Sequence, residues 1–331
     1  MAAIVRYAAR VKPTQESRRA QGPKARSRKD SVAIIGAGKL ASFLALALKD
    51  AGCAVTEIIC RPQPHALRRA RALAKRVGAK AVTAKNSALD ASLLWFCVPD
   101  REIGHAAAAL AERWKSRSRP AARNRQRLEK NHTPRATPFR TRFAFHSSGA
   151  LLSDELKPLR NAGLALASVH PLMTFVEASR PSLSGVPFAL EGDPLAIKLA
   201  RRMVRALGAA SFTLPPIRKP AYHAWATMTS PLLVAYLLTL EEAARAAGLP
   251  PARARRMSLP IILQTLSNYA RLGPPKSFSG PLIRGDLPTV ARHLSLLRSI
   301  PMTRAVYVAL ARVATGQLPA KHRAQLRRLL E

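Results

Sequence analysis

Acidic residues are scarce in this chain: Asp and Glu number 18 of 331, against 55 Lys and Arg, for a formal charge of +37. Such an excess ordinarily suggests a nucleic acid or another acidic surface as partner. Aromatic residues are also few, at 5%, whereas a single-strand-binding face sets aromatics among its basic residues. The positive charge is concentrated in two runs. Residues 1–29 hold nine Lys/Arg and one Glu, and residues 113–142, "RWKSRSRPAARNRQRLEKNHTPRATPFRTR", hold eleven Lys/Arg and one Glu. Neither run shows helix or strand periodicity, and their only aromatics are Tyr7, Trp114 and Phe139. Both are expected to be solvated, flexible segments, and no sequence-specific nucleic-acid reader is expected from them.

Cysteine is nearly absent. Cys53, Cys60 and Cys97 lack the close spacing of a zinc site or redox pair, so a reduced, cytoplasmic protein is expected. The first residues lack the apolar centre of a secretory signal, with an organellar transit peptide left as the open alternative. The longest greasy segment, "PLLVAYLLTL", is too short to span a bilayer. Eight scattered histidines give no H-x-H or H-x-x-x-H pair, which argues against a metal centre. No G-x-S-x-G elbow occurs, which argues against a serine hydrolase.

What the chain does have is alternation. "SVAIIGAGKLASFLALALKDAG" is a β-branched run, a glycine turn and an apolar helix, followed by the strand "AVTEIIC". A helix over about 63–77, the strands "KAVT" and "SLLWFCVPD", a helix near 101–113 and the strand "RFAFHSSGAL" continue the pattern. "LALASVHPL", "VPFALEG" and "SFTLPP" extend it, with a helix in "DPLAIKLARRMVRALG". The alternation predicts a Rossmann-type, doubly wound, mostly parallel sheet over about 30–216, interrupted by a basic insert at about 115–142. After Pro216 nearly everything reads as helix, so an all-helical C-terminal domain is expected over 217–331.

"GAGKLA", Gly36–Ala41, fits G-x-G-x-x-A between a strand and a helix. Gly36 would permit the tight turn, Gly38 the approach of a pyrophosphate, and Ala41 close helix packing. Ala37, Lys39 and Leu40 complete the candidate cofactor turn. The second strand ends in Cys60-Arg61 rather than an acidic residue, and Glu57 lies inside it. Arg61, with Arg68 and Arg69 nearby, suits a 2′-phosphate, which favours NADP over NAD. Val98, Pro99 and Asp100 follow the fourth strand, where they would line the cofactor or simply leave the sheet.

Four other sites carry candidate polar groups. In "KPAYHAWAT", Lys219 and His223 stand four residues apart, on one face of a helix. They are either a proton-transfer pair or two solvated side chains. In "HSSG", Ser147 and Ser148 are placed to bind a nicotinamide carboxamide or a substrate carboxylate, or else to cap a helix. His170 ends a strand, as a site residue or a structural turn. Arg284 and Asp286 sit in a glycine-bounded turn, where Asp286 would cap a helix and Arg284 would reach a carboxylate.

Taken in order, "GAGKLA", "FCVPD", "HSSGAL", "SVHPLMTF", "VPFALEGD", "YHAWAT" and "SGPLIRGD" resemble bacterial proteins that join a Rossmann-like domain to a DUF2520 domain. These are similar to pyrroline-5-carboxylate reductase, ketopantoate reductase and the β-hydroxyacid dehydrogenases. The resemblance spans about 30–330, with the DUF2520 region expected from near 168. It implies that Lys219 matches the lysine that opens the first long helix after the sheet in the last two groups. His223 stands where they carry an asparagine. The expected activity is NADP-dependent reduction of a C=O or C=N group held between the two domains, with Lys219 or His223 giving the proton and a homodimer formed through the helices. A non-catalytic NADP-binding sensor or scaffold is the alternative.

Overall fold

The structure, a computed structural model, describes residues 30–128, 142–176 and 182–331, with side chains omitted for 118–128. The basic tail 1–29 and the later part of the basic insert, 129–141, lie outside the described residues.

Eight strands form one sheet: β1 (Ser31–Ile35), β2 (Ala54–Cys60), β3 (Lys80–Thr83), β4 (Leu93–Phe96), β5 (Phe143–His146), β6 (Ala165–Pro171), β7 (Pro187–Gly192) and β8 (Ala210–Thr213). Their spatial order is β3-β2-β1-β4-β5-β6-β7-β8. Each neighbouring pair is parallel except β6 and β7, which run antiparallel with His170 opposite Ala189. The expected doubly wound, mostly parallel sheet is thus present. The single reversal was not expected, because a strand's direction leaves no mark on its own composition.

Alternate residues of β1 serve opposite faces, as the twofold period of a strand requires. Val32 and Ile34 pack into a core with Leu44 and Leu48 of helix α1 (Lys39–Asp50) and Leu73 of helix α2 (Pro64–Val77). Ala33 and Ile35 pack on the other face with Ile103, Ala107 and Leu110 of helix α3 (Asp100–Leu128). Since both faces are covered, β4 and all of β1 beyond Ser31 are apolar, and both strands are buried at every position. The crossover between β7 and β8 is helix α4 (Pro194–Ala206), which buries Ile197, Ala200 and Val204 on the first face.

Helix α3 corrects one expectation. It does not end near residue 113 but continues to Leu128, well into the basic run. Two arginines one turn apart hold its outer part. Arg113 Nε donates to the Ser87 carbonyl at 3.2 Å, and Arg117 donates to the Ala88 carbonyl and faces Asp90 at 3.8 Å. Trp114, between them, packs against the core. These anchors are long-range, so the local pattern did not reveal the helix.

The described residues up to Ala226 form one compact unit, and 227–331 form another. Helix α5 (Lys219–Thr229) begins in the first. The second contains α6 (Pro231–Ala246), α7 (Pro251–Leu272), α8 (Leu287–Leu296), α9 (Pro301–Gln317) and α10 (Arg323–Leu329). Its own core is small, gathered around Val290, Leu294, Ala311 and Leu326. Helix α6 buries none of its residues and α7 buries only Ala254. Among the described residues, no helix is long and apolar enough to cross a membrane.

Candidate active site

The strand order reverses between β1 and β4, and the helices that follow them leave for opposite faces, which opens a crevice at their carboxyl ends, the usual ligand position in such sheets. A cleft of about 940 Å³ occupies this point. Gly36, Ala37, Gly38, Arg61, Val98 and Pro99 all line it, together with Arg69 and Glu102. Lys39 and Leu40, opening α1, and Asp100 and Ser147 are not among its lining residues.

The two glycines of the turn have different reasons to be glycine. Gly36 adopts φ +109°, and a Cβ there would stand 2.5 Å from the Cys97 carbonyl oxygen. Gly38 has nothing within 4 Å of such a Cβ, so the protein itself leaves that face of the backbone open. It precedes the first turn of α1, which no side chain caps. An open glycine face over uncapped N–H groups fits the pyrophosphate of a dinucleotide.

Of the lining residues, Arg61 is exposed and lies 3.9 Å from Glu102. Glu57 is unavailable to a ribose. It is buried in β2, accepting from Ser87 Oγ at 2.6 Å and from the Ala88 N–H at 2.9 Å.

Beside this cleft, the turn after β5 gathers the other candidates. His146, at the end of β5, is fully buried. Its Nδ1 accepts from the Ser148 N–H at 3.1 Å, leaving Nε2 to donate to the Leu152 carbonyl at 2.9 Å. Burial, then the Lys219 charge, push its pKa down to about 3, so it stays neutral and ties the turn to the strand. Ser147 Oγ accepts from Trp95 Nε1 at 2.9 Å. Ser148 Oγ donates to Asp100 Oδ2 at 2.8 Å and accepts from the N–H groups of Ala150 and Leu151. Both serines, expected to meet a ligand, therefore bind protein groups, as does the Asp100 carboxylate.

Lys219, the first residue of α5, does share a face with His223, as its spacing predicted, and both meet this turn. Its side chain is 2% exposed. Nζ donates to the Leu151 carbonyl, to Ser168 Oγ at 2.6 Å and to the Ser148 carbonyl at 3.4 Å, and lies 3.7 Å from Glu191 Oε2. Glu191 also accepts from Ser153 N–H and Oγ at 2.8 and 2.9 Å. Burial lowers the lysine's pKa to about 8, while Glu191 and Asp100 oppose the fall.

His170 and His223 close over the same turn from the other side. A Cβ on Gly149 would lie 2.9 Å from His170 Nε2 and 2.9 Å from His223 Cδ2, so position 149 admits only glycine without movement. The ring centroids are 6.5 Å apart. His170 Nδ1 is hydrogen-bonded to Tyr222 Oη at 2.7 Å. Burial, then His223 and Lys219, push the His170 pKa down to about 4, and burial pushes that of Tyr222 up to about 12.

Sequence reasoning missed Glu191, Ser168 and Tyr222. An acid inside the apolar strand "VPFALEG" was the available signal for Glu191, since a buried carboxylate requires partners. Asp286 caps α8 by accepting from the Thr289 N–H at 3.1 Å, and Arg284 is exposed in the same turn. Among the described residues, no group of three or more His, Cys, Asp or Glu is placed to hold a metal ion.

Two families match this chain. Residues 31–118 match "NADP oxidoreductase coenzyme F420-dependent", and residues 186–314 match "Domain of unknown function (DUF2520)". No curated protein matches it in sequence. Solved structures share its fold. A candidate NADP oxidoreductase from Bacteroides fragilis is 19% identical with TM-score 0.65, covering 86% of this chain and 97% of its own. Protein TM1727 from Thermotoga maritima is 22% identical with TM-score 0.62, covering 90% and 98%. A pyrroline-5-carboxylate reductase from Coxiella burnetii is 13% identical with TM-score 0.52, covering 86% and 98%.

Proposed function

Taking the chain as one that joins an NADP-oxidoreductase-type nucleotide domain to a DUF2520 region, we propose that it is an NADP-dependent oxidoreductase acting on a small molecule. The bond reduced is C=O or C=N. The observation that carries this reading is a single sheet edge. There a cleft lined by the glycine turn adjoins a cluster of titratable groups. Perturbed groups of this kind beside a cleft are the ordinary mark of a catalytic site.

Gly36–Gly38 and the start of α1 would hold the pyrophosphate, and Val98 and Pro99 would guide the chain of the cofactor towards β5. Arg61 and Arg69 line the cleft as cations for a 2′-phosphate, while Glu57 is fully engaged elsewhere. That supports NADP over NAD. Bound NADPH would supply a hydride. The protein's part is to exclude water, orient the acceptor and deliver one proton to the heteroatom from the cluster around Gly149.

The second compact unit supports a homodimer. Its helices α6 and α7 expose Val234, Leu238, Ile261 and Tyr269, each more than half accessible, with no covering partner within a small core. Apolar surface of that extent usually faces another protein.

Purified protein screened for NADPH oxidation with 2-oxo acids, 1-pyrroline-5-carboxylate and a deazaflavin should respond to at least one. Failure of all three classes, with no binding of NADPH, would sink the reading.

A further inference from the structure

The lysine that the family resemblance casts as proton donor is not placed to donate. An ammonium has three N–H bonds, and around Lys219 four oxygens compete for them: the Leu151 and Ser148 carbonyls, Ser168 Oγ and Glu191 Oε2. Those oxygens belong to the turn after β5, to β6 and to β7, so one side chain ties three elements together. With 2% of its side chain accessible, it presents nothing to a ligand.

The histidines are placed differently. His170 and His223 are each only partly buried. They approach one point above Gly149, where the absence of a side chain leaves their edges together. Tyr222 Oη fixes the outer nitrogen of His170, which turns Nε2 towards Gly149 and His223.

We infer that His223, paired with His170 across Gly149, is the proton donor of this site, and that Lys219 is a positioning residue. Lys219 locks the 148–153 turn so that the two imidazoles meet. The inference rests on the oxidoreductase reading above. When hydride adds to the carbon of the C=O or C=N bond, its π electron pair moves onto the heteroatom. His223 then gives that atom a ring-nitrogen proton, passing from imidazolium to imidazole, and solvent restores it. His170, held neutral by its surroundings, stays beside His223 as the uncharged member of the pair. The charged and titratable groups around the pair are Lys219 and Tyr222 on α5 and His146 on β5. Glu191 on β7 and Asp100 on α3 act through Lys219.

The test uses the full chain and two readouts. In NADPH oxidation with 1-pyrroline-5-carboxylate, or with whichever 2-oxo acid the wild type reduces, H223N should lower kcat at least 100-fold. KM should move less than about threefold, and the alkaline limb of the pH profile should disappear. The double variant K219M/E191L removes both members of the buried ion pair together, which avoids leaving one charge unpaired. It should keep that limb at the same pH. Loss of the limb in K219M/E191L with its retention in H223N would overturn the assignment. Should the double variant not fold, labelled-lysine NMR on the wild type decides the same point, since a Lys219 titration coincident with the limb would also overturn it. The second readout needs no substrate. His170, followed by labelled-histidine NMR, should titrate well below 6.5 and shift upward in H223N. An unmoved His170 refutes the pair even if no substrate is ever reduced, whereas absent NADPH binding with a shifted His170 refutes only the oxidoreductase reading.

Discussion

Gly149 is the residue on which the site's geometry turns. Two imidazoles approach to within 2.9 Å of where its Cβ would be, and neither ring can retreat freely. His170 is held by Tyr222 at 2.7 Å, and His223 sits on a helix whose first residue is buried in the sheet unit. Gly149→Ala should therefore push the rings apart at little cost elsewhere. We expect NADPH affinity within about threefold of wild type and turnover down at least tenfold, read by fluorescence titration and steady-state kinetics. Unchanged turnover would mean that the two rings do not act together. The same residue shows how far local pattern goes. A glycine in "HSSG" was visible, but its cause, two histidines from residues 170 and 223, was not.

Among the elements, the carboxyl ends of β5 and β6 depend most on protonation. His146 is fully buried and His170 partly so, and both are held neutral, with pKa values pushed down to about 3 and about 4. In the unfolded chain they would titrate near the ordinary histidine value of about 6.5. The unfolded state thus binds more protons between about 6.5 and 4, so stability is fully present above that window and falls as the pH drops through it. Each histidine contributes a slope of up to about 1.4 kcal/mol per pH unit. Urea midpoints measured from pH 7.5 to 4.5 should decline steadily, and a flat profile would contradict the buried neutral state of both rings.

Element by element, the strands were legible because each is a short apolar run, and "GAGKLA" because a strand precedes it and a helix follows. The outer half of α3 was not legible. Its hold on the protein comes from Arg113 and Arg117 reaching residues 87–90, a contact no local periodicity encodes. The partners of buried Lys219 were hidden for a similar reason. Its four oxygen neighbours are drawn from residues 148, 151, 168 and 191. A lysine at a helix start ordinarily reads as solvated, so only the fold could reveal that it is a strut.

For the whole molecule, the helices beyond residue 227 raise the question of what they cover. Leu238 is 59% exposed and Ile261 68%, on helices that together bury one residue. If a second copy covers them, the double substitution Leu238→Asp and Ile261→Asp should convert a dimer to a monomer in light scattering. The sheet unit's NADPH binding should survive. A wild type that is already monomeric at micromolar concentration would contradict the assembly.

Most rests on whether the cleft at the β1–β4 switch point takes NADP. Fluorescence titration of the purified chain with NADPH and, separately, NADH tests it most directly. Saturable NADPH binding is expected, with NADH weaker by at least tenfold and that gap narrowed when Arg61 is replaced by Ala. Saturation by neither nucleotide would contradict it.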